Sequence, residues 1–544
     1  MTWHPPDAPH PFDGLDLGWL LASQARARGG QPWLVFEPFD GPTVTISYAG
    51  FDGRARRLAW GLRRRGVRHG DRVLVHLDNC AEYLVAWFAC GLLGAVAVTT
   101  NTRCALDELQ YFAGHSEPVF AITQPRFAAQ VRACGGTLRG IAVTDNDSGV
   151  PVAGAGARPA DERPADERFE DLLAQAPPSG PLAALSPLDS LAIQYTSGTT
   201  ARPKAVLWTH ANALWAGRVG ASHEALRADD VHLCVLPLCH TNALSYSALA
   251  AFWAGATLVL MPRFSSSRFW SVAQRHRCTW SSITAFCYRA LFNVERPAQH
   301  HFRNWGVAFA DPRIPQEFGI QTVSWWGMTE TISQGIVGLP HLPHRVGAIG
   351  RAAPEYGIRI LDPGGRPVAR GETGALKIRG VRGVSLFAEY FRDPQATSRA
   401  FDDEGFFETG DRVTLLDDGA IRFADRARDM LKVGGENVAS SEIERVIAGI
   451  DGIAEVAVVA RPHPMLDEVP VAFVRTEAPL SALPENDVRA RVLAACRTQI
   501  ADFKQPREVH VVEDFPRASV EKVSKSRLRE LWAPVWRAQQ EGRS

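Results

Sequence analysis

The sequence predicts an α/β protein: a large N-terminal domain of mixed β-sheets covered by helices, followed by a small α+β domain. Three observations predict it. The chain has 544 residues, more than one hydrophobic core ordinarily organises. Its first part alternates helix-period and strand patterns, which favours parallel or mixed sheet. Around residues 423–428 that rhythm breaks, and the remainder starts afresh with its own strands.

Residues 50–65 place Leu58, Ala59 and Leu62 on one helical face and arginines on the other. Gly66 and Gly70 punctuate the exit, and residues 71–77 read as a strand. A helix over 82–93 and a strand over 95–99 complete a β–α–β unit. The apolar run 84–98 is broken by glycine and falls short of the ~20 residues a membrane span needs, so it reads as buried core. Residues 146–186, with the tandem Arg-Pro-Ala-Asp-Glu of 158–167, read as a solvated surface connection. Strand and turn follow at 191–210, and β/α patterning continues to about residue 420. Beyond it come strands at 454–460 and 469–474, a helix near 487–499 and a basic tail.

Lys plus Arg and Asp plus Glu number 59 each, a balance that speaks against a general nucleic-acid or anionic-membrane binder. Nine scattered cysteines contain no C-x-x-C pair, and Cys234, Cys239 and His240 lack zinc spacing. They read as reduced thiols of a cytoplasmic protein. The N-terminus has no basic start leading into an apolar run, so no signal peptide is expected there.

Five segments carry chemistry. The first runs from Tyr195 through Thr196, Ser197, Gly198, Thr199, Thr200, Ala201, Arg202 and Pro203 to Lys204. Hydroxyls, a glycine and a lysine leaving a strand suit a polyphosphate; a polar hairpin is the rival reading. The second is Trp325-Trp326-Gly327-Met328-Thr329-Glu330, where Glu330 is a hard oxygen ligand suited to magnesium and Trp326 a flat face for a base. The third joins Thr409-Gly410-Asp411 to Asp425-Arg426-Ala427-Arg428: a carboxylate for a ribose diol, an arginine for ribose or phosphate. The fourth, Lys432-Val433-Gly434-Gly435, has a glycine pair where something approaches the backbone closely. The fifth is Phe515 to Val523, containing Lys522.

In order and spacing these segments resemble the adenylate-forming superfamily of acyl- and aryl-CoA synthetases, firefly luciferases and nonribosomal-peptide adenylation domains. The likeness extends from Gly66 to Lys522, and 430–444 is most similar to carnitine-type and aryl-CoA ligases. It implies a large domain 1–424, a mobile small domain 427–544 and a hinge at about 425–428. It implies ATP, Mg²⁺ and coenzyme A as cofactors or co-substrates and a small-molecule carboxylic acid as substrate. No nucleic-acid partner or membrane insertion is implied, and monomer and homodimer stay open. By the same resemblance residues 196–204 close on pyrophosphate, Glu330 binds magnesium and Thr329 meets the adenylate phosphate. Trp326 and Gly327 lie at the adenine, Asp411 and Arg426 at the ribose, and His240 beside the acyl carboxylate. Lys522 meets carboxylate and α-phosphate, Arg428 is the hinge, and Lys432, Gly434 and Gly435 line the thiol channel.

Four departures from the family pattern stand out. Ala201 and Ala205 replace glycines. Glu521 precedes Lys522 where glycine is usual. Residues 308–313 replace the usual adenine-side loop, and the run to Trp326 leaves little room for the helix that follows it. Trp325 stands where a small residue is usual, which, with Phe286 and Tyr288 nearby, shortens the acyl pocket and favours a small or flat acid. Three rivals are weighed: adenylation with an amine or nitrite-derived acceptor, a non-catalytic scaffold, and a dehydrogenase. The last is set aside because no G-x-G-x-x-G opens a helix in the right context.

Overall fold

The computed structural model describes residues 9–147, 150–151, 166–196, 203–339, 345–426, 430–519 and 522–541. The chain divides into two compact units: Met1–Thr102, Phe112–Thr196 and Ala205–Asp425 in one, Arg103–Tyr111, Ser197–Lys204 and Arg426–Ser544 in the other.

The first unit carries two large sheets. In one, the strands Arg72–His76, Val96–Thr99, Phe120–Thr123 and Gly140–Val143 are parallel, with Leu74 opposite Val98 on one side and Ala121 on the other. Ser190–Thr196 joins in parallel through Ala192 opposite Ala97. Parallel neighbours need helical crossovers, and the helices Tyr48–Arg64 and Ala81–Leu93 fall within a residue or two of the sequence reading. Tyr48–Arg64 is capped by the Ser47 hydroxyl, which accepts from the Gly50 amide. Ala81–Leu93 is buried on every side, which is why it shows no polar face in the sequence. It stops at Gly94, whose φ of 73° suits glycine.

The second sheet, of thirteen strands among the described residues, is mixed. Thr257–Leu260, Val231–Cys234, Trp280–Ser282, Asn304–Val307 and Gln321–Trp326 run parallel. Beyond Gln321–Trp326 the pairing turns antiparallel, first with Ile336–Val337 and then through Ala348–Ala352. Gly327, Thr329 and Glu330 follow the carboxyl end of the last of these parallel strands, where open α/β sheets ordinarily bind ligands.

In the second unit the hairpin Met430–Val433 and Glu436–Ala439 adjoins an antiparallel pair, Ile453–His463 and Asp467–Thr476. Helices Ser440–Ala448 and Glu485–Gln499 cover it through Ile443, Val446, Val488 and Val492. Lys504, buried in this unit, lies 2.7 Å from Glu442 and 2.5 Å from Glu108. Burial pushes its ammonium down, but the two carboxylates outweigh that and hold it above its ordinary value.

Two readings need correction. Part of 146–186 belongs to the domain: Asp166–Arg168 pairs in parallel with Gly140–Val143, and Phe169 and Leu172 on the following turn are buried. The alanine-, proline- and acid-rich composition masked those two apolar anchors; residues 152–165 lie outside the described ones. The space before Trp326 does hold a helix, Arg313–Phe318, which is only six residues long and ends at Gly319. No helix among the described residues is long and apolar enough to cross a membrane.

Candidate active site

The contacts around Trp325, Trp326, Gly327, Thr329 and Glu330 lie within the first unit. The strand Gln321–Trp326 ends in Gly327, and a tight 3₁₀ turn, Thr329–Thr331, follows at once. A side chain at Gly327 is sterically barred: a Cβ there would lie 2.3 Å from the Tyr246 hydroxyl and 2.8 Å from the Ser333 carbonyl. The turn is pinned from several directions. Trp208 Nε1 donates to the Thr329 carbonyl (3.0 Å), the Phe387 amide to the Glu330 carbonyl (2.9 Å), and the Met328 amide to Thr331 Oγ1 (2.9 Å). Thr329 and Glu330 are therefore presented from a rigid support.

The Glu330 side chain is 4% exposed, and Oε1 accepts from the Tyr390 hydroxyl at 3.0 Å. One buried carboxylate suits Mg²⁺, which takes most of its octahedral shell from substrate phosphates and water. Among the described residues no group of three or more His, Cys, Asp or Glu makes a self-sufficient metal cage. Thr329 Oγ1 sits 3.2 Å from Thr241 Oγ1, which is 3.1 Å from Gln194 Oε1 on the strand Ser190–Thr196. Thr196 ends that strand, and Tyr195 stacks on Phe112 at 4.3 Å with its hydroxyl 3.0 Å from His115 Nδ1.

Trp325 and Trp326 point to opposite faces of their strand, as neighbours in a strand must. Trp326 Nε1 donates to Asp411 Oδ2 at 2.8 Å, so the two residues read separately from sequence form one unit. The Trp325 ring lies over Gly306, where a Cβ would come within 1.7 Å of it. It stacks parallel to Trp280 at 6.4 Å and meets Tyr246 edge-on at 5.6 Å. Of the two aromatics that the sequence set beside it, Phe286 packs on Phe264 and Tyr288 on Phe292. His240 is half-buried, with Nε2 3.4 Å from Asn101 Nδ2, at the turn entering a π-helix, Asn242–Leu249. Such turns are frequent at functional sites. Asp311 is engaged by Arg313 at 2.6 Å; burial raises its carboxyl, but the guanidinium outweighs that and holds it below the usual range.

The second unit contributes separately. Lys204 opens the strand Lys204–Thr209. Gly434 and Gly435 have φ of 59° and 93° and make the two-residue turn of their hairpin, with the Lys432 amide donating to Glu468 at 2.8 Å. Arg426 and Lys522 lie in strands whose side chains at these positions are outside the described residues. Ser197, Gly198, Thr199, Thr200, Ala201, Arg202, Arg428 and Glu521 also lie outside them. Sequence reasoning missed Tyr390, Thr241 and Gln194. No local signal marks Tyr390, which is 60 residues from Glu330. Gln194 did carry one: a polar residue inside the apolar run that leads into the phosphate-loop segment.

The family model for AMP-binding enzymes matches residues 21–391, and that for the AMP-binding enzyme C-terminal domain matches 442–522. A crotonobetaine/carnitine–CoA ligase of Salmonella paratyphi A is 33% identical over 533 residues, covering 95% of this chain and 99% of that one. Among solved structures, o-succinylbenzoate CoA synthetase from Bacillus subtilis superposes with a TM-score of 0.79 at 24% identity, covering 94% and 98% of the two chains. ATP-bound MatB from Rhodopseudomonas palustris gives 0.66 at 27% identity, covering 96% and 100%.

Proposed function

Because this chain belongs to the AMP-binding, adenylate-forming enzyme family and is an AMP-forming acid–CoA ligase, we propose that its substrate is a small or flat carboxylic acid. A carboxylate oxygen attacks the α-phosphorus of ATP, the bond to the β-phosphate oxygen breaks, and pyrophosphate leaves. The CoA sulfur then attacks the acyl carbonyl, its proton passes to solvent, and AMP leaves.

The observation that carries the reading is the turn after Gln321–Trp326. It presents the Thr329 hydroxyl and the Glu330 carboxylate beside a Trp326–Asp411 pair, in a chain that both family models match. Thr329 donates to the adenylate phosphate, Asp411 holds the ribose, and Trp326 borders the base while orienting Asp411. His240 stands beside the acyl carboxylate. Glu330, held by Tyr390, is the residue for Mg²⁺, which when bound neutralises phosphate charge. Thr196, Ser197, Gly198, Thr199, Thr200 and Lys204 embrace the departing pyrophosphate. Arg426 joins Asp411 at the ribose and Lys522 stabilises charge at the α-phosphate. Lys432, Gly434 and Gly435 flank the thiol path once the small domain has turned about the hinge at 425–428.

The size of the acid follows from Trp325, whose ring fills the space over Gly306. None of the nine cysteines is in a disulfide among the described residues, which accords with work in the cytoplasm. Pyrophosphate release, measured with ATP and Mg²⁺ and with or without CoA, tests the reading. The acids are short-chain, benzoate-like, crotonobetaine, carnitine and palmitate. Release that needs a small acid and rises with CoA supports it. Palmitate turned over as well as the small acids refutes the size argument. Release indifferent to CoA but dependent on an amine or nitrite refutes the acceptor.

A further inference from the structure

Gln194 is 1% exposed on the strand Ser190–Thr196, two residues before Thr196. Its Oε1 accepts from Thr241 Oγ1 at 3.1 Å, and Thr241 Oγ1 in turn meets Thr329 Oγ1 at 3.2 Å. The other end of the same amide, Nε2, is buried and has no hydrogen-bond partner among the described residues. A buried amide donor left unpaired is costly, and such groups in native proteins call for a cause. Here the cause lies in place: three polar side chains from three separate segments converge where Thr329 is presented, and the unpaired donor belongs to the innermost of them.

We propose that Gln194 contacts the substrate, with Nε2 donating to an anionic oxygen at the reacting centre. That oxygen is a carboxylate oxygen of the acid or a phosphate oxygen of the nucleotide, two groups that the acyl-adenylate joins. The inference rests on the adenylation reading above. Hydrogen bonds to anions are the stronger kind, and a donor fixed in advance by Thr241 needs no reorientation as charge develops. The Oε1 contact gives Gln194 a second task, holding Thr241 so that the Thr329 hydroxyl stays directed.

The test uses the full chain and the variants Gln194→Met and Gln194→Glu, near in volume to the original. Pyrophosphate release is followed with ATP, Mg²⁺ and the acid that the wild type uses best, and AMP and adenosine affinities are measured by calorimetry. With melting temperatures close to wild type, Gln194→Met is expected to lose about 10- to 100-fold in kcat/KM. Gln194→Glu loses more, because it sets carboxylate oxygens against an anion; it also serves if the methionine variant fails to fold. A drop in AMP affinity with adenosine unchanged assigns the phosphate oxygen. Unchanged AMP affinity with a raised KM for the acid assigns the carboxylate. Activity within twofold of wild type in Gln194→Met overturns the contact, as does a loss matched by an equal fall in adenosine affinity. If the wild type itself releases no pyrophosphate with any acid, the adenylation reading fails on its own. In that case an unchanged AMP affinity in Gln194→Met overturns the contact to the phosphate oxygen too.

Discussion

Replacing Trp325 with alanine should move this protein's preference toward longer acids. The indole lies over Gly306, so close that a Cβ at 306 would stand 1.7 Å from it, and it leans on Trp280 and Tyr246. Its removal opens a cavity, and a Trp→Ala change in a packed core costs about 3–5 kcal/mol of stability. The same cavity accepts methylenes of a longer acid, each worth about 0.8 kcal/mol when buried. Four of them return about 3 kcal/mol, roughly a 100-fold gain in kcat/KM for an acid extended by four carbons. The assay is kcat/KM for pyrophosphate release over straight-chain acids of increasing length, run beside thermal melting of the free protein. A Trp325→Ala variant that melts earlier but keeps the wild-type length profile refutes the reasoning, since the ring would then be core and not the end of the acyl pocket.

Three other outcomes are expected. Tyr390→Phe removes the 3.0 Å bond to Glu330 Oε1 and should raise the Mg²⁺ concentration for half-maximal activity about 10- to 100-fold, as a bond to a charged group worth about 1.5–3 kcal/mol implies; an unchanged Mg²⁺ titration speaks against Glu330 as the metal residue. Trp326→Phe keeps an aromatic face but loses the donor to Asp411, so the KM for ATP should rise several-fold while that for the acid stays put; the reverse pattern refutes the assignment of Asp411 to the nucleotide. Burial holds His76, His210 and His232 down to about 4 against an ordinary 6.5, and the His210 Nδ1 accepts from the Leu17 amide, which only a neutral ring allows. Unfolded imidazoles take protons below pH 6.5 while the folded ones do not until about 4, so this stability is complete above 6.5 and falls as pH drops toward 4, by up to ~1.4 kcal/mol per pH unit for each. Urea midpoints at pH 7, 6 and 5 should decline, less so in His210→Gln; a flat profile refutes it.

What the sequence made legible was whatever repeats locally. Tyr48–Arg64 shows a half-apolar helical period, and Ile453–His463 with Asp467–Thr476 shows two β-branched runs close enough to pair. The helix Arg313–Phe318 escaped because six residues, one of them Pro315, make too little period to read. Phe169 and Leu172 escaped because two anchors in a polar stretch look like noise until a neighbouring strand covers them. In the site, single residues were legible and their pairings were not. Trp326 and Asp411 were each picked out by type, yet their bond spans 85 positions and leaves no trace in either local segment. The same holds for Gly306 under Trp325, where a small residue is needed only because a large one arrives from the next strand.

The Trp325-Trp326 dipeptide organises these observations. Its strand runs parallel to Asn304–Val307 on one side and antiparallel to Ile336–Val337 on the other, so it stands where the sheet changes character. Strand alternation sends consecutive side chains to opposite faces. One tryptophan is therefore committed to Gly306, Trp280 and Tyr246, and the next to Asp411. Gly327 follows the strand at a point where any side chain would collide with Tyr246 and Ser333, and the chain then enters the turn that carries Thr329 and Glu330. On the proposed function, two aromatic residues and a glycine separate an acyl side from a nucleotide side, with the proposed phosphate and metal residues, Thr329 and Glu330, between them. That division explains how a tryptophan in a position usually small is tolerated: its bulk is absorbed over Gly306, on the face of the strand opposite Asp411.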